Sequence, residues 1–372
     1  MLWKNIMTTR RQFLRHTSLF AGGLLMGCAN STVEQYWYMP DEAAPHGRTW
    51  MAFGASERIW GRRLLPEVRR NLVTIAQTIA QYEPVSILVR ADEYDLAKDL
   101  MGSSVELIVS PLDDLWIRDT GPLFVFSKQG QKAGIDFNFN GWGQKQIYQN
   151  DKAIAGFVSQ KAGVKVVNTD LVLEGGCIEL DGHGTAIMTE SSVLNDNRNP
   201  GVSKAQFEDQ LMPLLGLEKI IWLPGIRGQD ITDGHVDFYA RFARPGVVLA
   251  GYEPDPSFLD HEITKQNLEI LDSATDARGH SFDMIVLDAP STVRDTYETP
   301  EFAAGYVGFY VCNGAVIMQE FGDERADQVA QQSLQRAFPD REIVAINIDA
   351  IAAGGGSVHC ATQQEPAATL PH

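Results

Sequence analysis

From Pro66 to Tyr82 the apolar side chains fall at helical spacing, with Val68, Leu72, Ile75 and Ile79 on one face between polar neighbours. That spacing predicts an amphipathic helix. Pro66 stands at its first turn, where a missing N–H costs nothing. Pro84 ends it, and the apolar run Val85-Ser86-Ile87-Leu88-Val89 reads as a strand. The helix-then-strand order recurs: residues 151–162 precede 164–167, 203–215 precede 219–222, 257–273 precede 282–287, and 324–338 precede 342–346. Runs at 185–189, 247–250 and 306–311 read as additional strands. Five units of roughly strand–strand–helix–strand, alike in pattern and not in identity, predict repeated α/β modules around a centre. No linker or low-complexity stretch follows residue 35, so 37–372 reads as one domain after a short linker at 29–36. A two-domain doubly wound chain is the competing architecture, but no glycine-rich dinucleotide fingerprint follows any strand.

Composition narrows the partners. The 372 residues are 44% hydrophobic and carry a formal net charge of −17. Phosphate binding needs a basic face, so a nucleic-acid partner is disfavoured; a small cation suits the balance better. The N-terminus reads Thr8-Thr9-Arg10-Arg11-Gln12-Phe13-Leu14-Arg15, then an apolar run from Leu19 to Met26, then Gly27-Cys28. Paired arginines before a short apolar run predict a twin-arginine export signal over 1–28 and a periplasmic protein. The run is shorter than the roughly 20 residues a spanning helix needs. Leu25-Met26-Gly27-Cys28 resembles a lipobox, which makes Cys28 a lipid-anchor candidate; cleavage without lipidation and an unprocessed basic arm are the alternatives. Three further cysteines, Cys177, Cys312 and Cys360, cannot all pair within the chain, so a free thiol is expected.

Candidate chemistry lies where polar residues follow apolar runs. Gly354-Gly355-Gly356 follow the strand-like 342–347 and lead to Cys360. Three residues without Cβ allow positive φ and close approach to a ligand, which places the Cys360 thiol at the lip of a strand. A tight turn and a buried cysteine is the plain alternative. Asp113-Asp114-Leu115-Trp116-Ile117-Arg118-Asp119 concentrates charge beside a tryptophan, costly unless paired or used. Glu174-Gly175-Gly176 follows Val172-Leu173 and suggests an acid aimed into a site, or a simple hairpin. In Asp233-Gly234-His235-Val236-Asp237, a strand would project His235 and Asp237 together with Asp233 alongside. An aromatic loop, Phe137 to Gly143 with Trp142, could wall a pocket.

A thiol, a histidine, carboxylates and tryptophans suit one reaction class. A guanidinium is planar, always cationic and matches carboxylates two-pronged. Its central carbon is a poor electrophile, so breaking its C–N bond takes a strong nucleophile, carboxylates to hold the cation and a histidine to protonate departing ammonia. A thiolate beside His⁺ or the bound cation would be activated.

Taken in order, Met39-Pro40-Asp41-Glu42, Pro45 to Trp50, Asp114 to Pro122, Glu174-Gly175-Gly176, Asn195 to Pro200, Gly234 to Asp237, and Gly354 to Gln364 resemble the agmatine deiminase and bacterial, Porphyromonas-type peptidylarginine deiminase family of guanidino-modifying enzymes. The resemblance implies a single catalytic domain over 37–372 built as a five-bladed, pseudo-symmetric α/β propeller. It implies that Cys360 attacks the guanidinium carbon, that Asp119 and Asp237 grip its nitrogens, and that His235 protonates ammonia and then activates water, oriented by Glu174. Trp116 and Trp142 would line the channel, with no metal and no organic cofactor. The substrate it implies first is agmatine, hydrolysed to N-carbamoylputrescine on the way to putrescine; a homo-oligomer is compatible with the same reading. The chain departs from the usual pattern at Ile231, where a glutamate is usual, at Asp233, where an asparagine is usual, and at Ser357, also usually asparagine. If that glutamate receives agmatine's distal amine, Asp230 or Asp233 would have to replace it; a C-terminal peptidyl arginine or another guanidine is the alternative substrate. Two other classes compete: a metallohydrolase using His235, Asp233 and Asp237, and a periplasmic binding lipoprotein for cations.

Overall fold

The computed structural model describes residues 36–297 and 299–367. The export segment and Cys28 lie outside the described residues. Five separate sheets carry the chain. Three share one plan, an antiparallel hairpin whose second strand also pairs in parallel with the strand after a crossover helix. In one, Glu179–Leu180 pairs with Thr185–Thr189, and helix Lys204–Leu215 leads to Lys219–Leu223. In the next, Ala240–Arg244 pairs with Val247–Tyr252, and helix Asp260–Ser273 leads to Asp283–Asp288. In the third, Tyr310–Cys312 pairs with Ala315–Gln319, and helix Glu324–Ala337 leads to Glu342–Ile346. A fourth sheet adds Trp37–Tyr38 to the edge of Leu123–Ser127, Lys132–Asp136 and Lys165–Asn168.

The remaining sheet joins distant parts of the chain. His46–Phe53 pairs in parallel with Val85–Val89, which pairs with Glu106–Val109, while Gln363–Pro366 pairs antiparallel with His46–Phe53. The hairpin partner that the other units take from their own sequence is here supplied from the far end of the chain.

The helix expected from Pro66 begins earlier, at Glu57, and is broken at Gly61, whose φ is 64°. Pro66 is therefore inside the element and not at its start. The apolar face is as expected: Val68, Leu72, Ile75 and Ile79 are all buried, each contributing about 1.5–3 kcal/mol of burial. They enter a core that also holds Trp60, Trp116, Trp142, Ile351, Val358 and Cys360, so one apolar cluster sets the position of the nucleophile's loop.

Two local expectations are corrected. Residues 233–238 form no strand: Asp233 and Gly234 have φ of 64° and 84°, and Val236–Phe238 is a 3₁₀ turn. Cys360 does not follow a strand directly either, because the short helix Asp349–Ala352 intervenes; the thiol instead stands three residues ahead of Gln363–Pro366. The three glycines serve packing. A Cβ on Gly354 would collide with the Trp60 ring and one on Gly356 with the Trp116 ring, while Gly355 has φ of 83°.

Candidate active site

Glu174, His235 and Asp119 form one side of the site. Glu174 precedes the 3₁₀ turn Gly175–Cys177. Both glycines are required by crowding, since a Cβ on Gly175 would strike the Arg118 carbonyl and one on Gly176 the His235 ring. The His235 Nε2 lies 3.3 Å from Glu174 Oε2, and its Nδ1 lies 3.8 Å from Asp119 Oδ1. Asp119 accepts from the Gly176 N–H at 3.0 Å and from the Trp142 indole N–H at 2.9 Å. Burial works against charge on His235, yet Cys177, Asp119 and Glu174 around it carry its pKa well above the ordinary value. Glu174 is pulled down to about 2: burial opposes its charge, but contacts with His235 and Arg198 outweigh it. Asp119 goes the other way, raised chiefly by burial.

Asp237 and His359 form the other side. The His359 Nδ1 lies 2.7 Å from Asp237 Oδ2, and its Nε2 lies 2.9 Å from Glu42 Oε2. Asp237 Oδ1 is buried without a hydrogen-bond partner. Burial alone would raise the Asp237 pKa; the bond to His359 and the charges of His359, His235 and Arg241 hold it below the usual value instead.

Cys360 faces both sides. Its Sγ lies 3.9 Å from Asp237 Oδ2 and 3.3 Å from the Ser357 hydroxyl. Burial, then Asp237 and Asp119, push the thiol far above its ordinary pKa, so without a ligand it is protonated. Cys360 and Asp119 each keep 7% exposure against 1% for His235 and Asp237. Trp116 is tilted against Trp60 with ring centroids 5.7 Å apart, and Trp142 packs edge-on against Phe139 at 5.0 Å. Cys177 and Cys312 are buried and unpaired, as is Cys360.

The structure thus brings together Cys360, His235, Asp119, Asp237 and Glu174, with Trp142 bonded directly to Asp119. Asp233 is placed differently from the expected substrate contact. Its carboxylate takes Arg198, Lys145 and Asn197 and the Gly228 N–H. It reaches the site through Arg198, which donates to Glu174 Oε1 at 3.0 Å. The rival metal set of His235, Asp233 and Asp237 is not assembled either: Asp233 is held by Arg198 and Lys145, and Asp237 Oδ2 lies 2.7 Å from His359 Nδ1. The described residues with metal-ligand spacing are Glu174, Cys177 and His235, of which Glu174 already carries Arg198.

Sequence reasoning missed Glu42, Trp60, Arg198 and His359 as parts of the site. Trp60 donates its indole N–H to Asp114 Oδ1 at 2.7 Å, behind Trp116. Glu42, Arg198 and His359 stood inside motifs already picked out, so the available signal was charged residues beside the candidates that had no assigned partner.

The comparisons with known proteins come to the same place. Residues 38–366 match the profile of the Porphyromonas-type peptidyl-arginine deiminase family. A Streptomyces avermitilis protein provisionally named an agmatine deiminase is 38% identical over 88% of this chain and 96% of its own length. The agmatine deiminase of Medicago truncatula is 33% identical over 92% of this chain and all of its own. Among solved structures, the agmatine deiminase of Enterococcus faecalis superposes with a TM-score of 0.84 at 30% identity, covering 90% of this chain and 96% of that one. With a profile match along nearly all the described residues and relatives this similar over most of their length, the chain belongs to the Porphyromonas-type peptidyl-arginine deiminase family.

Proposed function

We propose that the protein hydrolyses agmatine to N-carbamoylputrescine and ammonia through a covalent amidino-cysteine. One observation carries the reading: the Cys360 thiol lies in the field of two buried carboxylates, Asp119 and Asp237, and Asp237, 3.9 Å from the sulfur, has an oxygen with no partner. A buried, unpaired acceptor on an ionised group is costly, and a planar cation with two-pronged N–H groups satisfies it. The guanidinium of agmatine, docked between Asp119 and Asp237, also cancels the negative field that keeps the thiol protonated. Substrate binding therefore lowers the thiol's proton affinity, and its proton passes to solvent as the thiolate forms.

The thiolate sulfur attacks the guanidinium carbon. His235, protonated because of the acids around it, gives its proton to the departing nitrogen, and ammonia leaves as the C–N bond breaks. Neutral His235, held by Glu174, then takes a proton from water. The hydroxide adds to the amidino carbon, the C–S bond breaks as the new hydroxyl gives its proton to the departing sulfur, and the ureido product leaves with the Cys360 thiol regenerated.

Ile231 favours a second substrate reading. It is partly exposed and apolar, and its backbone carbonyl accepts from Lys145; a longer chain ending in arginine would meet no carboxylate there. The test is ammonia release by residues 29–372 from agmatine, free arginine and a peptide ending in arginine, with Cys360→Ala as blank. Release from agmatine supports the main reading. Release from the peptide alone replaces it, and release from none moves the weight to cation binding without turnover.

Two coarser points extend the proposal. The five sheets with a common plan are read as five blades around a central axis, with the site at the axis; small-angle scattering matched against that shape tests it. Residues 1–28 are read as a twin-arginine signal and Cys28 as a lipid anchor, which globomycin-sensitive membrane retention would support and release of the Cys28→Ser protein in soluble form would corroborate.

A further inference from the structure

We infer that His359 is a positioning residue for the reaction, holding Asp237 ionised and turned so that its free oxygen meets the substrate, with Glu42 as the fixed support behind it. The inference rests on the deiminase reading above.

The two His359 ring nitrogens both point at acids. Each faces a carboxylate oxygen, Asp237 Oδ2 at 2.7 Å and Glu42 Oε2 at 2.9 Å. A carboxylate only accepts, so both bonds form only if both nitrogens carry hydrogen. The ring is thereby clamped beside the nucleophile between the two carboxylates. Glu42 cannot turn away, because Arg118 donates to Oε2 at 3.0 Å and the Val311 N–H to Oε1 at 2.9 Å, with Arg241 2.9 Å from Oε1. Arg241 is in turn held by Glu179 and the Phe309 carbonyl. Arg118 also donates to Gln364 and to the His359 carbonyl, and its own N–H reaches the Cys360 carbonyl at 3.3 Å. One buried assembly therefore sets both the acid that grips the substrate and the backbone that bears the thiol.

The titratable and charged groups facing Asp237 are His359, His235, Arg241, Asp119 and the Cys360 thiol; those facing Glu42 are His359, Arg118, Arg241, Glu179 and Tyr310. His359 is the only one of them bonded to both carboxylates. Its bond occupies Oδ2 and leaves Oδ1 to the ligand. Removing it frees the carboxylate to rotate and lets its affinity for protons rise.

The experiment compares wild type, His359→Gln, Glu42→Gln and the double variant by steady-state kinetics on agmatine from pH 5 to 9. Agmatine binding is measured in parallel on Cys360→Ala with and without His359→Gln. The expected result for His359→Gln is a KM at least tenfold higher, binding to the Cys360→Ala background weakened by a similar factor, and an acid limb of kcat/KM moved toward neutral pH. Glu42→Gln should move both in the same direction by less, and the double variant should be no worse than His359→Gln, since both act along one chain of contacts. An unchanged acid limb and KM in folded His359→Gln or Glu42→Gln overturns the inference, as do losses that multiply in the double variant. A lowered melting temperature with normal KM and pH profile also overturns it, because that is what a structural role alone would give. Wild type without turnover of agmatine refutes the deiminase reading itself, a result distinct from any of these.

Discussion

Asp119 and Asp237 are both buried beside the same thiol, yet their proton affinities shift in opposite directions. Asp119 accepts from the Trp142 indole and the Gly176 N–H; His235, 3.8 Å away, favours its charge, but burial, with Asp237 and Glu174 nearby, outweighs that and raises its pKa. Asp237 is held by His359, within a cluster that includes Arg241, and its pKa falls. Burial disfavours charge on any carboxylate, and only a compensating charge reverses the sign. The two arms of the site thus divide the work: one anion is permanent, and the other becomes comfortable when a cation arrives.

Ranked by size, the tests of that division start with the group between the arms. Cys360→Ala should abolish ammonia release while still binding agmatine, as read by calorimetry; residual turnover would remove the covalent step. His235→Ala should lower kcat by about 10²–10⁴-fold, the usual range for a lost general acid, and near-normal kcat/KM would strip it of that role. The two aspartates should then separate in stability. Asp237→Asn breaks the buried contact with His359, which then faces Glu42 alone, and should cost about 3–5 kcal/mol of folding stability. Asp119→Asn removes a charge that burial already penalises and should leave the melting temperature level or higher, although both variants lose agmatine affinity. Equal melting shifts for the pair would break the comparison.

Smaller again is a pH effect. Asp151 is raised to about 7 and Asp114 to about 6, in each case chiefly by burial, and His235 is also raised. Each binds a proton more tightly folded than unfolded, so the stability each adds is complete at low pH and is lost as pH rises through its folded pKa. Glu174 and Asp237, shifted down, matter only in acid. Denaturant midpoints should therefore rise between pH 8 and pH 6, by up to about 1.4 kcal/mol per unit of pH for each proton bound; a flat or falling profile would contradict it. Cys177→Ser should have the least effect, a few-fold change in kcat, because the hydroxyl can replace the S–H···Oε2 contact to Glu174 at 3.1 Å.

The periodic parts of this fold were legible in the sequence because their signal is local. Each of the five expected helix–strand pairs exists within a few residues of its expected bounds, apart from the early start at Glu57. The nucleophile, the histidine and the flanking acids were also legible, through residue type and resemblance. What was hidden depends on contacts across the chain. Gln363 pairs with Trp50, and Glu42 meets His359, across more than 300 residues. Asp233 looked like a site residue from its neighbours, but Arg198, 35 positions away, claims its carboxylate. The left-handed turn at Asp233 and Gly234 replaced the expected strand, because a strand pattern of alternating residues carries no information about φ.

The strand Gln363–Pro366 has a consequence for biosynthesis. Chains are made from the N-terminus and domains fold as they emerge, so four of the sheets can form their hairpins early. The sheet begun by His46–Phe53 waits for a partner that is translated over 300 residues later, and the thiol that would do the chemistry lies only three residues before that partner. On a growing chain, therefore, Cys360, His235, Asp119 and Asp237 are not yet assembled. Activity and completion of this sheet arrive in the same event, which ties catalytic competence to a finished fold.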